Sequence, residues 1–214
     1  MDETRKTSSL TILVPGTNWQ GSGGWGRENP LFSYGEGTLG QDSGFHSTKL
    51  LAWSGRNGDR YRLEGAQMLR DMIASHRFGA GDKLNILAHS HGGNVVLAAT
   101  QLGVAYRIDL LVTLNKPTLV GKVYSGRINN IGRFVNISAR RDWTQWAGSN
   151  AKLSGEWATD RSAVNVVVDT SSSDLKPHGA LIWDDRIRES WWGWLFEQTE
   201  AECEERESIL SAGV

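Results

Sequence analysis

Short apolar runs rich in valine, isoleucine and leucine recur along the chain and alternate with helix-like segments. Each run is too continuously apolar for a strand with one face in water, which is typical of a parallel sheet buried on both faces. The alternation therefore predicts an α/β fold with a mostly parallel sheet and helices on both faces. We predict about six strands, at residues 10–14, 48–53, 83–88, 107–114, 133–138 and 163–169.

Helix-like segments lie between several of these strands. We predict helices at residues 61–77, 94–102 and 184–207. In the last of them, Ile187, Trp191 and Trp194 share one face, which should pack on the sheet, while the acidic end should be exposed. The glycine-rich residues 15–47 lack a clear period and predict a long loop. No internal repeat or linker divides the 214 residues, so we expect a single domain.

The overall composition excludes several classes of partner. A net charge of −1 gives no electrostatic attraction to nucleic acid or to an anionic membrane. No apolar run approaches the roughly 18 residues of a membrane helix, so we expect no stable membrane insertion. Cys203 is the only cysteine, which excludes an intrachain disulfide. The N-terminus MDETRKTSSL lacks the apolar segment of a signal peptide, so we expect a cytoplasmic protein, with signal-independent export as the alternative.

The segment LNILAHSHGGNVV places Ser90 between a predicted strand and a predicted helix. A nucleophile on a sharp strand-to-helix turn needs small residues two positions before and after it, because the backbone is crowded there. Ala88 and Gly92 occupy these positions, and Gly93 allows the helix to pack close to the strand. We therefore predict that Ser90 is a nucleophile. The alternative is a serine that caps the helix, which would not need small neighbours on both sides.

The AHSHGG motif resembles the nucleophile turn of the α/β-hydrolase superfamily, especially of its small bacterial lipases and esterases. LTILVPGTNW is similar to the strand and oxyanion loop of these enzymes, with Pro15 where they usually have histidine. VTLNKP is similar to their strand that ends in a Leu-x-x-Pro turn. The resemblance covers most of residues 10–200 in the order of elements, and it implies a serine hydrolase.

A serine nucleophile needs a base and an acid that orients the base. In this superfamily the chain order is serine, acid, histidine, and His178 is the only histidine after Ser90 and its immediate turn. It lies between the last predicted strand and the last helix, as the family's histidine does. Asp142, in the turn after the strand at 133–138, is where the family's acid commonly lies. Asp169, at the end of the last strand, is the alternative acid.

The resemblance also implies an oxyanion hole made by the backbone N–H groups of Thr17 and His91, with Asn18 as the neighbouring alternative to Thr17. His89 and His91 form an H-x-H pair, but no nearby Asp, Glu or Cys completes a recognised zinc spacing. We therefore expect no metal, with His89 packed under the turn and His91 lining the pocket. No phosphate-binding motif occurs, so we expect no cofactor.

Aromatic residues predict the class of substrate. Trp143 and Trp146 follow the candidate acid and are expected to form one wall of an apolar acyl pocket. A second wall is expected from the long loop, whose candidates are Asn18, Trp19, Trp25, Leu31, Phe32 and Tyr34, although any single tryptophan is better explained as a loop anchor. We predict a carboxylic ester hydrolase acting on a small-molecule ester or a lipid. The alternatives are a serine amidase, a thioesterase or a non-catalytic binding protein of the same fold.

Overall fold

The computed structural model describes residues 7–21, 25–37, 39, 45–119, 124, 128–149, 163–197 and 208–211. These residues contain a seven-stranded sheet in which every neighbouring pair of strands is parallel. The strands are β1 (Ser8–Val14), β2 (Phe45–Leu50), β3 (Lys83–His89), β4 (Ile108–Leu114), β5 (Ile131–Ala139), β6 (Val164–Asp169) and β7 (Ser208–Ser211). Their order across the sheet is β2-β1-β3-β4-β5-β6-β7.

Helices cover both faces of this sheet. They are α1 (Pro30–Gly37), α2 (Asp59–Ser75), α3 (His91–Leu102), α4 (Trp143–Gly148), α5 (Pro177–Trp183) and α6 (Asp185–Glu197). Apolar residues of α2 and α3 share one core cluster with one face of the strands, and those of α1, α5 and α6 share the other cluster with the opposite face. The predicted fold class, a parallel α/β sheet with helices on both faces, is confirmed.

Side-chain alternation explains why the strands are apolar at nearly every position. Ile12 and Val14 belong to the cluster under α2 and α3, whereas Leu13 between them belongs to the opposite cluster. Successive residues of a strand point to opposite faces, so a sheet covered on both sides needs apolar residues at odd and even positions alike. As predicted, α6 packs on the sheet through Ile187 and Trp191, which are fully buried.

Several elements differ from the prediction. The helix α1 lies inside the segment that we predicted to be a loop, and α4 and α5 are two further short helices that we did not predict. The strand β2 ends at Leu50, and the apolar Leu51 and Trp53 that suggested a later strand are buried just beyond it. The strand β7 is additional to the six predicted strands. The predicted acidic end of the last helix, at 198–207, lies outside the described residues.

The chain reverses its winding direction beside β1. From β1 it passes to β2 on one side, and then to β3 on the other side of β1, where Val14 pairs with Ala88. In open α/β sheets, a crevice forms at such a switch point, outside the carboxyl ends of the strands. The segment after Val14 and the segment after His89 therefore face each other across this crevice. No helix in the described part of the chain is long and apolar enough to cross a membrane.

Candidate active site

Ser90 lies on a strained turn at this crevice. Its φ of 52° and ψ of −133° place it where non-glycine residues are rarely found. The N–H of Ser90 donates to the carbonyl of Leu114 at 2.8 Å, and its carbonyl accepts from Gly93 N at 3.0 Å, so the turn is fixed on both sides. Although Ser90 occupies the N-cap position of α3, its side chain makes no capping hydrogen bond. The alternative interpretation as a helix cap is therefore not supported.

Two glycines let the segment after β1 approach the serine closely. A Cβ atom on Gly16 would lie 2.7 Å from the Cβ of Ser90, and one on Gly92 would lie 2.3 Å from the carbonyl oxygen of Val14. Both distances are far inside van der Waals contact, so neither position can carry a side chain without a backbone shift. The indole N–H of Trp53 donates to the carbonyl of Pro15 at 2.8 Å and holds the segment there.

The candidate oxyanion donors differ in how their N–H groups are used. The N–H of Asn18 donates to the carbonyl of Gly55 at 2.8 Å, which removes Asn18 as an alternative donor. Within the described part of the chain, the N–H of Thr17 has no acceptor. His91 is the first residue of α3, where a backbone N–H has no acceptor inside the helix and the helix dipole is positive. Thr17 follows Gly16, which lies against Ser90, and His91 follows Ser90 directly.

His178 and Asp142 form a direct hydrogen bond. His178 Nδ1 donates to Asp142 Oδ2 at 2.6 Å, and the side chain of Asp142 is 1% exposed. The other carboxylate oxygen, Oδ1, accepts the N–H groups of Thr144 at 2.9 Å and Gln145 at 3.1 Å and so caps α4. The carboxylate is therefore held through both of its oxygens, and one of them faces the imidazole.

The alternative acid, Asp169, is used elsewhere. Its Oδ1 accepts the N–H of Ser171 at 2.9 Å, and its other oxygen lies 4.0 Å from Arg140 Nη1. The hydrogen bonds from Ser171 hold the pKa of Asp169 below its usual value, and the positive charge of Arg140 adds to this effect. Asp169 thus stabilises the turn after β6, and the structure brings Asp142 to His178 instead.

His89 links His178 to the serine turn. It directly precedes Ser90, and its Nε2 donates to the carbonyl of His178 at 2.9 Å. The two imidazole rings lie 4.7 Å apart between centroids. Burial, and then the positive charge on a protonated His178, lower the pKa of His89 to about 3. His89 is therefore neutral near pH 7 and acts as a donor to the backbone that carries His178.

His91 is also neutral near pH 7. It is 6% exposed, and burial lowers its pKa to about 4, with further lowering by the positive charges of Arg62, His178 and Lys116. Asn94 Nδ2 donates to its Nδ1 at 3.4 Å. The H-x-H pair thus has protein partners, and no group of three or more His, Cys, Asp or Glu side chains among the described residues is placed to hold a metal ion.

The tryptophans after the candidate acid line an open cavity. Its volume is about 430 Å³, and its walls are Arg140, Arg141, Asp142, Trp143 and Trp146. Trp143 is 72% exposed, and its ring lies edge-on to Trp146 at 5.9 Å between centroids. The two tryptophans thus line a cavity beside Asp142, and Ser90 and His178 are not among its lining residues.

The second predicted pocket wall is mostly buried core. Trp25, Leu31 and Phe32 belong to the hydrophobic cluster on one face of the sheet. Trp19 packs partly against the same cluster and donates its indole N–H to the carbonyl of Trp53 at 2.8 Å, so it anchors the segment after β1. Most of these aromatic residues are therefore better described as anchors of the loop than as a pocket wall.

Asn115 is a site residue that the sequence analysis did not identify. It follows β4 directly, next to Ser90 in the sheet, and its side chain donates to the carbonyls of Pro177 and His178, both at 3.1 Å. The sequence contains a usable signal, since an asparagine between an apolar strand and Lys-Pro favours a left-handed turn at a strand end.

No protein-family model matches the chain, and no curated protein matches it. Among solved structures, it is similar to a YdeN-like hydrolase from Pectobacterium atrosepticum, with 11% sequence identity, a TM-score of 0.46, and coverage of 76% of this chain and 77% of that one. It is also similar to a metagenomic carboxyl esterase, with 16% identity, a TM-score of 0.36 and coverage of 75% of this chain. The chain spans 49% of the esterase. Such distant similarity transfers no activity, so a function must come from the site itself.

Proposed function

We propose that the protein is a serine hydrolase that cleaves carboxylic esters, with Ser90 as nucleophile, His178 as base and Asp142 as the orienting acid. The observation that carries the proposal is the 2.6 Å hydrogen bond between His178 and the buried Asp142. The carbonyl of His178 also accepts a hydrogen bond from His89, the residue before Ser90. A carboxylate on Nδ1 leaves Nε2 without a proton, and this is the tautomer that accepts a proton from a serine.

In the first half of the reaction, Ser90 Oγ attacks the ester carbonyl and His178 Nε2 takes the hydroxyl proton. The carbonyl oxygen becomes negatively charged, and the N–H groups of Thr17 and His91 donate to it. Asp142 stabilises the positive imidazolium. The intermediate then collapses, the bond to the alcohol breaks, and His178 returns its proton to the leaving alcohol. The acyl group is now bound to Ser90.

The second half repeats these steps with water. His178 Nε2 takes a proton from water, the resulting hydroxide attacks the acyl-serine, and the same two N–H groups hold the oxyanion. Collapse releases the carboxylic acid and returns the proton to Ser90. Every step uses only side chains, backbone amides and water, so we propose no cofactor.

The cavity beside Asp142 supports the proposal that the substrate is an ester with an apolar group. Its volume of about 430 Å³ is within the range of small-molecule sites, and Trp143 and Trp146 offer flat apolar surfaces. We propose that these two rings contact the acyl or alcohol chain of the substrate. The natural substrate is then a small ester or a lipid.

A matched set of chromogenic substrates tests the proposal. Nitrophenyl esters of two to twelve carbons, a thioester and a nitroanilide with the same acyl group would be compared by kcat/KM. We expect turnover of the esters, with a maximum at an intermediate chain length. A higher kcat/KM for the thioester or the anilide would replace the esterase with a thioesterase or an amidase. If none is cleaved and an ester still binds, a non-catalytic binding protein is the better description.

A further inference from the structure

Asn115 occupies a conformation that a regular strand would not impose. It is fully buried and has a φ of 51°, in the left-handed region. Asparagine tolerates this region better than most residues, but it is still uncommon for a non-glycine residue. Its backbone N–H donates to the carbonyl of Ile137 at 2.8 Å, so the turn stays attached to the end of β5. The conformation directs its side chain across the carboxyl edge of the sheet.

The carboxamide of Asn115 joins two separate segments of the site. Its Nδ2 uses one hydrogen for the carbonyl of Pro177 and the other for that of His178, both at 3.1 Å. Its Oδ1 accepts the N–H of Ala139 at 2.7 Å. Pro177 and His178 begin the helix that carries the proposed base, and Ala139 ends the strand that leads to Asp142. One side chain thus links the backbone at His178 to the end of the strand that leads to Asp142.

The carbonyl of His178 has a second partner besides Asn115. His89 Nε2 donates to it at 2.9 Å, and a carbonyl oxygen can accept two hydrogen bonds. Asn115 follows β4 and His89 ends β3, which are neighbouring strands. The backbone of His178 is therefore held from the ends of β3, which leads into the Ser90 turn, and of the neighbouring β4.

We propose that Asn115 is a positioning residue that fixes the distance between Asp142 and His178. The inference rests on the proposed function for its catalytic consequence, but the geometric claim concerns only the hydrogen bond between Asp142 and His178. Asn115 does not contact the reacting atoms. It acts by holding the backbone under both partners, and a displacement of about 1 Å in such a group can cost about a hundredfold in rate.

Two substitutions of Asn115 that tolerate its positive φ test its bonds to Ala139 and to the Pro177–His178 backbone. Asn115→Asp keeps an acceptor for Ala139 but replaces the donor to Pro177 and His178 with an oxygen, which repels both carbonyls. Asn115→Gly adopts the same φ without strain and removes all three hydrogen bonds. For both variants we expect kcat on a short nitrophenyl ester to fall about a hundredfold while KM changes less than about threefold.

A matched control is Asn136→Asp. Asn136 is equally buried, but it lies within β5 and bonds to Thr113 and Asn165, neither of which carries the proposed base or acid. We expect this variant to lose some stability and to keep kcat within about threefold. All three variants would first be checked for native circular dichroism and cooperative unfolding.

Proton NMR provides a readout that does not depend on activity. The Nδ1 proton of His178, in its short hydrogen bond to Asp142, should give a strongly downfield signal that Asp142→Asn removes. We expect Asn115→Asp and Asn115→Gly to move this signal upfield or broaden it, and Asn136→Asp to leave it in place. An unchanged signal with unchanged kcat in both folded Asn115 variants would overturn the inference. A shifted signal in a protein that cleaves no ester would support the inference and reject the proposed hydrolase.

Discussion

Each end of the sheet carries a serine and a histidine, and their surroundings differ. At the amino ends, Ser9 of β1 lies in register with His46 of β2, and their side chains are hydrogen bonded. At the carboxyl ends, Ser90 follows β3, and the residue before it, His89, donates to the carbonyl of His178, whose ring bonds to Asp142. Burial does not distinguish the two serines, since Ser9 is 2% and Ser90 6% exposed.

The backbone and the third partner do distinguish them. Ser9 lies within a regular strand, whereas Ser90 has a positive φ on a turn at the switch point. The ring nitrogens of His46 bond to the hydroxyls of Ser9 and Thr48, so no carboxylate orients the ring. Burial lowers the pKa of His46, which favours a neutral structural histidine. We therefore expect a serine and a histidine to act as nucleophile and base only where a strand end presents the serine and an acid holds the histidine.

The largest expected difference is between alanine substitutions of the two serines. Ser90→Ala should fold normally and lose roughly 10⁴–10⁶-fold in kcat, because the members of such a site act as one unit. Ser9→Ala should keep kcat within about twofold and lose only a buried hydrogen bond, worth about 1 kcal/mol of the free energy of unfolding. Both would be assayed on a short nitrophenyl ester. More than about a tenth of the wild-type rate in Ser90→Ala would exclude Ser90 as the nucleophile.

The second comparison is between the two candidate acids. Asp142→Asn should lower kcat by about 10³–10⁴ because the imidazole would present the wrong tautomer to Ser90. Asparagine is also a good N-cap, so α4 should remain intact. Asp169→Asn should cost about tenfold or less, since only hydrogen bonds that stabilise a turn are affected. A severe loss in Asp169→Asn beside a nearly normal Asp142→Asn would reverse the assignment.

A smaller effect is expected from the exposed tryptophan beside the site. Trp143→Ala removes about 1 kcal/mol of apolar contact with the substrate, or roughly a fivefold rise in KM for the best long-chain ester. Phe45→Ala is the matched control, because Phe45 is 67% exposed at the amino end of β2. The free energy of unfolding should change by less than about 0.5 kcal/mol in both. Equal KM values for Trp143→Ala and the wild type at every chain length would remove Trp143 from the substrate site.

The smallest effect on activity is expected for His46, where the consequence is a change in stability with pH. The pKa of His46 is lowered in the folded state, so below about pH 6.5 the unfolded chain binds more protons than the folded one. The free energy of unfolding therefore decreases as the pH is lowered. His46→Gln should weaken this dependence and leave kcat unchanged. His89 and His91, with pKa values of about 3 and about 4, add the same pH dependence of stability to the wild type and to His46→Gln. Urea unfolding between pH 4 and pH 8 measures the difference, and parallel curves would contradict the expectation.

Most of the fold was predictable because its strands are buried on both faces, which leaves a continuous apolar signal. The strand β2 was placed too late because it is an edge strand with the polar sequence FHSTKL, while the apolar Trp53 beyond it packs under α2. The helix α1 is short and contains two glycines, so it spans too few turns to establish a period. The helix α5 had a readable signal, a proline at its first position.

The candidate site was predictable in its residue types and less so in their contacts. The small residues around Ser90 and the lack of another histidine point to Ser90 and His178 from the sequence alone. The choice between Asp142 and Asp169 depends on where two loops fold back over the sheet, which only tertiary structure decides. Asn115 was missed because its hydrogen bonds are to backbone carbonyls far away in the chain, and no local pattern records such contacts.

Labelling with a serine-reactive fluorophosphonate distinguishes an activated Ser90 from an ordinary buried serine. We expect one phosphonyl group per chain, located on Ser90 by peptide mapping, and much slower labelling of Asp142→Asn although its serine is intact. Ser9, whose hydroxyl is hydrogen bonded to His46, should remain unlabelled. A label on Ser9 or another serine, or no label on the folded protein, would contradict the claim that the carboxyl end of the sheet activates Ser90.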